Sequence, residues 1–220
     1  MRFGLSQTCI SYLEEWVTDY LYGSKREFST KYTQKGLTVE NEAIEFASDV
    51  LGWGWVPKNT ERRTDHYLTG EADVVLAQAI ADVKSSWDQY TFPLLDEEIP
   101  TKGYDWQLQG YMHLWDKSHA QLVYCLMDAP EELIQRESRR LAYERYEDEV
   151  TESIYQEAKS KMTFSHLPDY LRIKTYPVHR DPDKINAIMA RVEQCNVYIQ
   201  QVIIPRLEEQ MRSVSGQVAA

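Results

Sequence analysis

The chain has 220 residues and a mass of 25.8 kDa, enough to bury a core without disulfides or a structural metal. Its formal net charge of −11 excludes a module that holds nucleic acid by its overall field, so any such partner needs a local basic surface or metal ions on carboxylates. No apolar run reaches the ~18 residues of a membrane span. The early acids Glu14, Glu15 and Asp19 argue against a signal peptide, and the scattered Cys9, Cys125 and Cys195 give neither a zinc knuckle nor an iron–sulfur site. These features predict a cytoplasmic protein with no membrane partner.

In chain order, Ile10, Leu13, Val17 and Leu21 recur at helical spacing over residues 6–22, with Ser6 and Thr8 as candidate caps and Gly23 as the stop. A polar stretch with Lys25, Arg26, Lys31 and Lys35 follows. A second helix is predicted over residues 38–51, with Thr38 as its N-cap. Residues 53–57 alternate as a short strand. Further strands are predicted over residues 67–76 and 80–84, and an acidic loop over 85–102. A helix over 105–115 and a buried strand over 120–127 come next. Residues 130–161 read as a long charged helix or a helix pair, and 171–178 as a strand. A final amphipathic helix spans 181–211, kinked by Pro205, and the tail 213–220 is expected to be disordered. Strands interleaved with helices make an α/β or α+β fold, and no G-x-G-x-x-G follows a strand. A single domain over residues 1–212 is expected, with a motif core at 36–127 and a helix–strand–helix extension at 130–212.

The chemistry concentrates between Glu40 and Tyr111. Period-two geometry puts Asp82 and Lys84 on one face of a strand and Val83 on the other. A hairpin through Ala77 and Gln78 brings Asp73 beside Asp82. Two carboxylates so close stay ionised only with a cation between them, and hard divalent ions such as Mg²⁺ or Mn²⁺ suit oxygen ligands. A nearby Lys84 then completes a constellation suited to phosphodiester cleavage.

The series Gly70-Glu71-Ala72-Asp73, Asp82-Val83-Lys84 and Gln107-Leu108-Gln109-Gly110-Tyr111 resembles the G-x-x-D, D-x-K and Q-x-x-x-Y motifs of RecB-type nucleases in the PD-(D/E)XK superfamily. Lys35-Gly36-Leu37-Thr38-Val39-Glu40 is similar to the family's helix carrying a Glu. Length and element order are similar to the lambda-exonuclease and YqaJ-type viral recombination nucleases. This resemblance implies a restriction-endonuclease-like core, a mixed central sheet flanked by helices. It implies catalytic roles for Glu40, Asp73, Asp82, Lys84 and Gln107, with Glu40, Asp73, Asp82 and the Val83 carbonyl as ligands of Mg²⁺, for which Mn²⁺ substitutes. Gln109 competes with Gln107 for its role, and Tyr111 either packs behind the site or touches DNA. No iron–sulfur cluster is expected.

The implied activity is exonucleolytic hydrolysis of DNA from duplex ends in phage-type recombination or repair. A single-strand annealing protein is an implied partner, and a ring of three subunits an implied assembly. Lys25, Arg26, Lys31 and Lys35, with Tyr111, are the candidate DNA contacts. Arg172, Lys174, His179 and Arg180 form a weaker basic patch, and Trp87 is a candidate for stacking on a base. A structure-specific or restriction-like endonuclease would share the same motifs. A non-catalytic nucleic-acid-binding protein on this fold is the alternative of another class.

Overall fold

The computed structural model describes residues 4–24 and 30–218, without the side chains of 31, 32, 102 and 214–218. Where a single domain was expected, the chain divides into two compact units: residues 29–181, and a unit built from both ends, residues 1–28 and 182–220.

The unit of the two ends is helical. Helix α1 (Gln7–Tyr22) starts where the Ser6 side chain accepts the Cys9 N–H, and stops at Gly23, whose φ of 61° is left-handed. Helix α6 (Pro182–Tyr198) passes into a π-helical turn (Ile199–Ile203) and then helix α7 (Ile204–Val218). The expected kink at Pro205 takes this form. Its ring cannot pack under the carbonyl four residues back, and the turn before it is wound one residue wider. Leu13 and Val17 pack with Tyr198 and Ile203, and Cys9 Sγ lies 3.7 Å from Cys195 Sγ. The helix runs on to Val218, so most of the expected disordered tail is helical.

The larger unit begins with helix α2 (Lys31–Leu51), seven residues earlier than Thr38 suggested. Thr30 is the N-cap, and its side chain and that of Thr33 bond reciprocally to each other's backbone N–H groups. Thr38 lies inside the helix and bonds back to the Gln34 carbonyl. Residues 53–57 form no strand: Gly52 and Gly54 have φ of 69° and 77°, which extended backbone does not allow. The strand expected at 67–76 is broken in two, with strand β1 (Arg63–Thr64) pairing strand β2 (Thr69–Gly70) and strand β3 (Val74–Val75) beginning after a bend.

Strand β3 pairs antiparallel with strand β4 (Ala79–Ser85) through the turn at Ala77 and Gln78. Helix α3 (Lys102–Leu114) carries the chain to strand β5 (His119–Cys125), parallel to β4, and strand β6 (Ile173–His179) closes the mixed sheet in the order β3-β4-β5-β6. Helices α4 (Glu131–Glu144) and α5 (Glu152–Met162) are the expected pair and share their own apolar cluster.

Successive residues of β4 serve opposite faces. Ala81 and Val83 pack with Val39, Ala43, Ile44 and Ala47 of α2, while Ile80 packs with Leu108 and Met112 of α3. Asp82 and Lys84, in phase with Ile80, therefore fall on the α3 face.

Candidate active site

Asp82 sits in the middle of β4, 1% exposed. Lys84 Nζ lies 2.6 Å from its Oδ2. Among the described residues, Oδ1 of this carboxylate has no hydrogen-bond partner. A buried carboxylate without donors is costly unless a cation faces it. The Lys84 ammonium also stands 5.1 Å above the Tyr104 ring of α3. Burial alone would lower its pKa, but the charge of Asp82 and the contact with it outweigh burial and raise it.

Asp73 lies one residue before the Val74–Ala81 pair, so the hairpin delivers it to the Asp82 level. Its Oδ2 accepts the Val83 N–H at 2.8 Å, and its carbonyl accepts the Asn59 N–H. Burial, then the negative charge of Asp82, push its pKa up to about 6, against the pull of Lys84 and the Val83 N–H. The two carboxylates thus share one electrostatic site.

Glu40 of α2 reaches this site through its charge, which adds to the rise at Asp73, while its Oε2 is held by Lys58 Nζ at 2.5 Å. Lys58 is raised in turn, chiefly by that hydrogen bond. Among the described residues no three His, Cys, Asp or Glu side chains converge as a ready metal cage. The donor chemistry still suits a hard cation: two clustered carboxylates, one of them with a buried oxygen that has no partner among the described residues.

Helix α3 separates the two glutamines. Gln109 is buried, donating to the His179 carbonyl and accepting the Asp181 N–H, so it ties α3 to the end of β6. Gln107 instead donates to Tyr111 Oη at 2.7 Å, and Lys84 is engaged by Asp82 and Tyr104. The Tyr111 ring lies against Gly70. A Cβ there would stand 2.8 Å from Tyr111 Cε1, which explains the glycine in the first motif.

The expected basic edge is different in the structure. Lys25 and Arg26 lie outside the described residues, as does the Lys31 side chain. Lys35 is not a surface phosphate contact: it is 1% exposed and donates to the Ser86 and Trp87 carbonyls at 3.0 and 2.9 Å. Its helix position, four residues before Val39, turns it inward with the core face. The weaker patch is also taken up, with Arg172 buried over the Phe46 ring and Arg180 paired with Asp116. Trp87 packs against the α4–α5 cluster.

Sequence reasoning missed Lys58 and Tyr104. A lone lysine between the Glu40 helix and the Asp73 strand is the one trace of the first, and an aromatic three residues before Gln107 of the second.

Paired carboxylates and a lysine on a mixed sheet, with helices on both faces, define a nuclease of the restriction-endonuclease-like class. The phage-related exonuclease of Haemophilus somnus 129PT is 32% identical, with a TM-score of 0.76 over 93% of this chain and 86% of that one. The chain belongs to this family of phage-related exonucleases, the lambda-exonuclease and YqaJ-type branch of the PD-(D/E)XK nucleases. An alkaline exonuclease from Laribacter hongkongensis shares the fold at 13% identity, with a TM-score of 0.65 over 95% of this chain and 88% of that one. In complex with dAMP, the Laribacter protein matches at 15% identity and a TM-score of 0.62, over 93% and 85% of the two chains. No family sequence model and no curated protein matches the chain. Among the described residues, no helix is long and apolar enough to cross a membrane.

Proposed function

We propose that this exonuclease hydrolyses DNA from duplex ends with Mg²⁺, or Mn²⁺ in its place, in phage-type recombination or repair. Asp73, Asp82 and the Val83 carbonyl would hold the ion, with Glu40 at the margin under the control of Lys58. The single observation that carries this reading is Asp82, a buried carboxylate beside Asp73 whose Oδ2 meets the Lys84 ammonium and whose Oδ1 has no partner among the described residues. When bound, a divalent ion supplies Lewis acidity toward the phosphate and makes water a stronger acid.

The chain's own groups do the rest. Lys84, fixed between Asp82 and the Tyr104 ring, offers a positive charge where negative charge gathers on the phosphate in the transition state. The contact with Asp82 favours the charged form of the lysine. Gln107 holds the Tyr111 hydroxyl within α3, and Leu108 and Met112 of the same helix pack on Ile80, which keeps Tyr104 over the strand. Oligomerisation as a ring of three belongs to the same proposal, and light scattering at working concentration checks it by mass.

The deciding experiment compares end-labelled linear duplex with closed-circular duplex, in Mg²⁺ and in EDTA. Loss of label from linear DNA in Mg²⁺ alone, with circles intact, is the expected result. Activity in EDTA overturns the metal assignment, and cutting of circles turns the reading to an endonuclease.

A further inference from the structure

We infer that the cleft between α2 and the loop that follows it receives one unstacked base of the substrate strand, with the Trp55 indole as its stacking platform. The inference rests on the nuclease reading above. The cleft holds about 630 Å³, walled by α2 at Ile44 and Ser48 among others, and by the loop from Gly54 to Lys58.

Trp55 is 90% exposed on this wall, although an indole is among the side chains that gain most from burial. The same loop shows the contrast, since Trp53 packs against the core under α2. Gly52 and Gly54, both left-handed, flank Trp53 and set the loop so that one indole goes in and the other out. A side chain at Gly54 would meet no neighbour, so it is the backbone conformation that needs glycine there.

The loop also fixes where the cleft lies. Lys58, at its end, lines the cleft and pairs with Glu40 of α2. The Lys58–Glu40 pair thus joins the cleft to the Glu40 margin of the site. The other wall carries Glu45 and Asp49, which repel a phosphate but tolerate a neutral ring. The Ser48 hydroxyl, buried in that wall, has no hydrogen-bond partner among the described residues. An exposed indole over such a wall suits a base rather than the backbone. Aromatic stacking accepts every base, as a nuclease working along a strand requires. Only a base that has left the duplex stack is free to enter, so the cleft favours a strand already separated at its end.

Cleavage of linear duplex with a short single-stranded end, as a function of DNA concentration, tests this in the full chain. Trp55→Ala should raise the half-saturating concentration about tenfold, and Trp55→Phe should recover most of that loss. Substrates with one abasic nucleotide, moved stepwise from the end, should lose a similar factor at one position with the parent protein and nothing further with Trp55→Ala. Unchanged melting of the variants excludes a folding effect. An unchanged half-saturating concentration, or equal sensitivity of parent and Trp55→Ala to every abasic position, overturns the cleft assignment while the nuclease stands. A parent protein that cleaves nothing in Mg²⁺ or Mn²⁺ overturns the nuclease reading itself.

Discussion

Two lysines reach the same end of β4 and meet opposite surroundings. Lys84, within β4, faces Asp82 at 2.6 Å, and its pKa is raised although burial opposes this. Lys35 comes in from α2 to the backbone just past β4, where its nearest partners are two carbonyls, and burial lowers its pKa to about 8. Asp128 and Asp88 pull it back only in part. A carboxylate in contact makes a buried ammonium a permanent charge; carbonyl dipoles alone leave it close to losing one. The first arrangement suits chemistry on a phosphate. The second is a clamp, holding α2 against the turn that ends β4.

The sharpest way to break the comparison is to remove the charged pair. Lys84→Ala or Asp82→Asn should lower turnover by roughly 10²–10³-fold or more, as loss of a transition-state partner commonly does, and Asp82→Asn, which removes the buried charge, should leave melting little changed. Single-turnover cleavage of linear duplex beside a thermal melt checks this, and near-parental rates would end the assignment.

Lys35→Met should do the reverse, costing about 2 kcal/mol of stability because two buried carbonyls lose their donor. The clamp also predicts a pH signature. The folded pKa lies below the unfolded value of 10.5, so the unfolded chain binds more protons between about pH 8 and 10. Parental stability should therefore rise with pH across that window relative to Lys35→Met, and fall back as pH drops through 8. Urea unfolding of both proteins at several pH values reads the difference, and parallel curves would show that Lys35 titrates normally.

A smaller effect is expected from Gly70→Ala. Its Cβ would press on the Tyr111 ring and on Leu114 Cδ1 at 3.2 Å, costing about 1–2 kcal/mol and disturbing the packing of α3 on β2. Activity falling further than stability would place Tyr111 in the support of the site. The smallest change is Thr30→Ala, which removes the cap of the helix that delivers Lys35, at about 1 kcal/mol. Denaturant midpoints resolve both.

How much of this was legible in the sequence depended on whether the partner was near in the chain. Asp82 and Lys84 share a face because a strand alternates, and Asp73 joins them because a short turn folds β3 onto β4; both follow from local spacing. So does the Ser6 cap. Lys35 looked like a solvated cation because its neighbours are polar, and its acceptors lie 51 and 52 residues away as backbone carbonyls, which carry no residue signature. Gln107 and Gln109 differ by two positions on one helix. Only the rotation of α3 against β6 gives Gln109 to the His179 carbonyl. The alternation at residues 53–57 was real as a pattern, but two left-handed glycines override it. Lys58 was overlooked because its partner Glu40 belongs to another element.

The helical unit made of both chain ends has a consequence for synthesis. Cys9 and Cys195, neighbours in the fold, are 186 residues apart in the chain. At a typical translation rate of about 5–20 residues per second, α1 waits roughly ten to forty seconds on the ribosome before its partner helices emerge. Throughout that interval Leu13 and Val17 have no cover from Tyr198 and Ile203. The sheet and its carboxylates, complete by residue 181, can form while α1 is still waiting. The first helix to be made is thus among the last to be buried, and a nascent chain stalled before α6 would carry an assembled sheet and a bare apolar stripe on the same molecule.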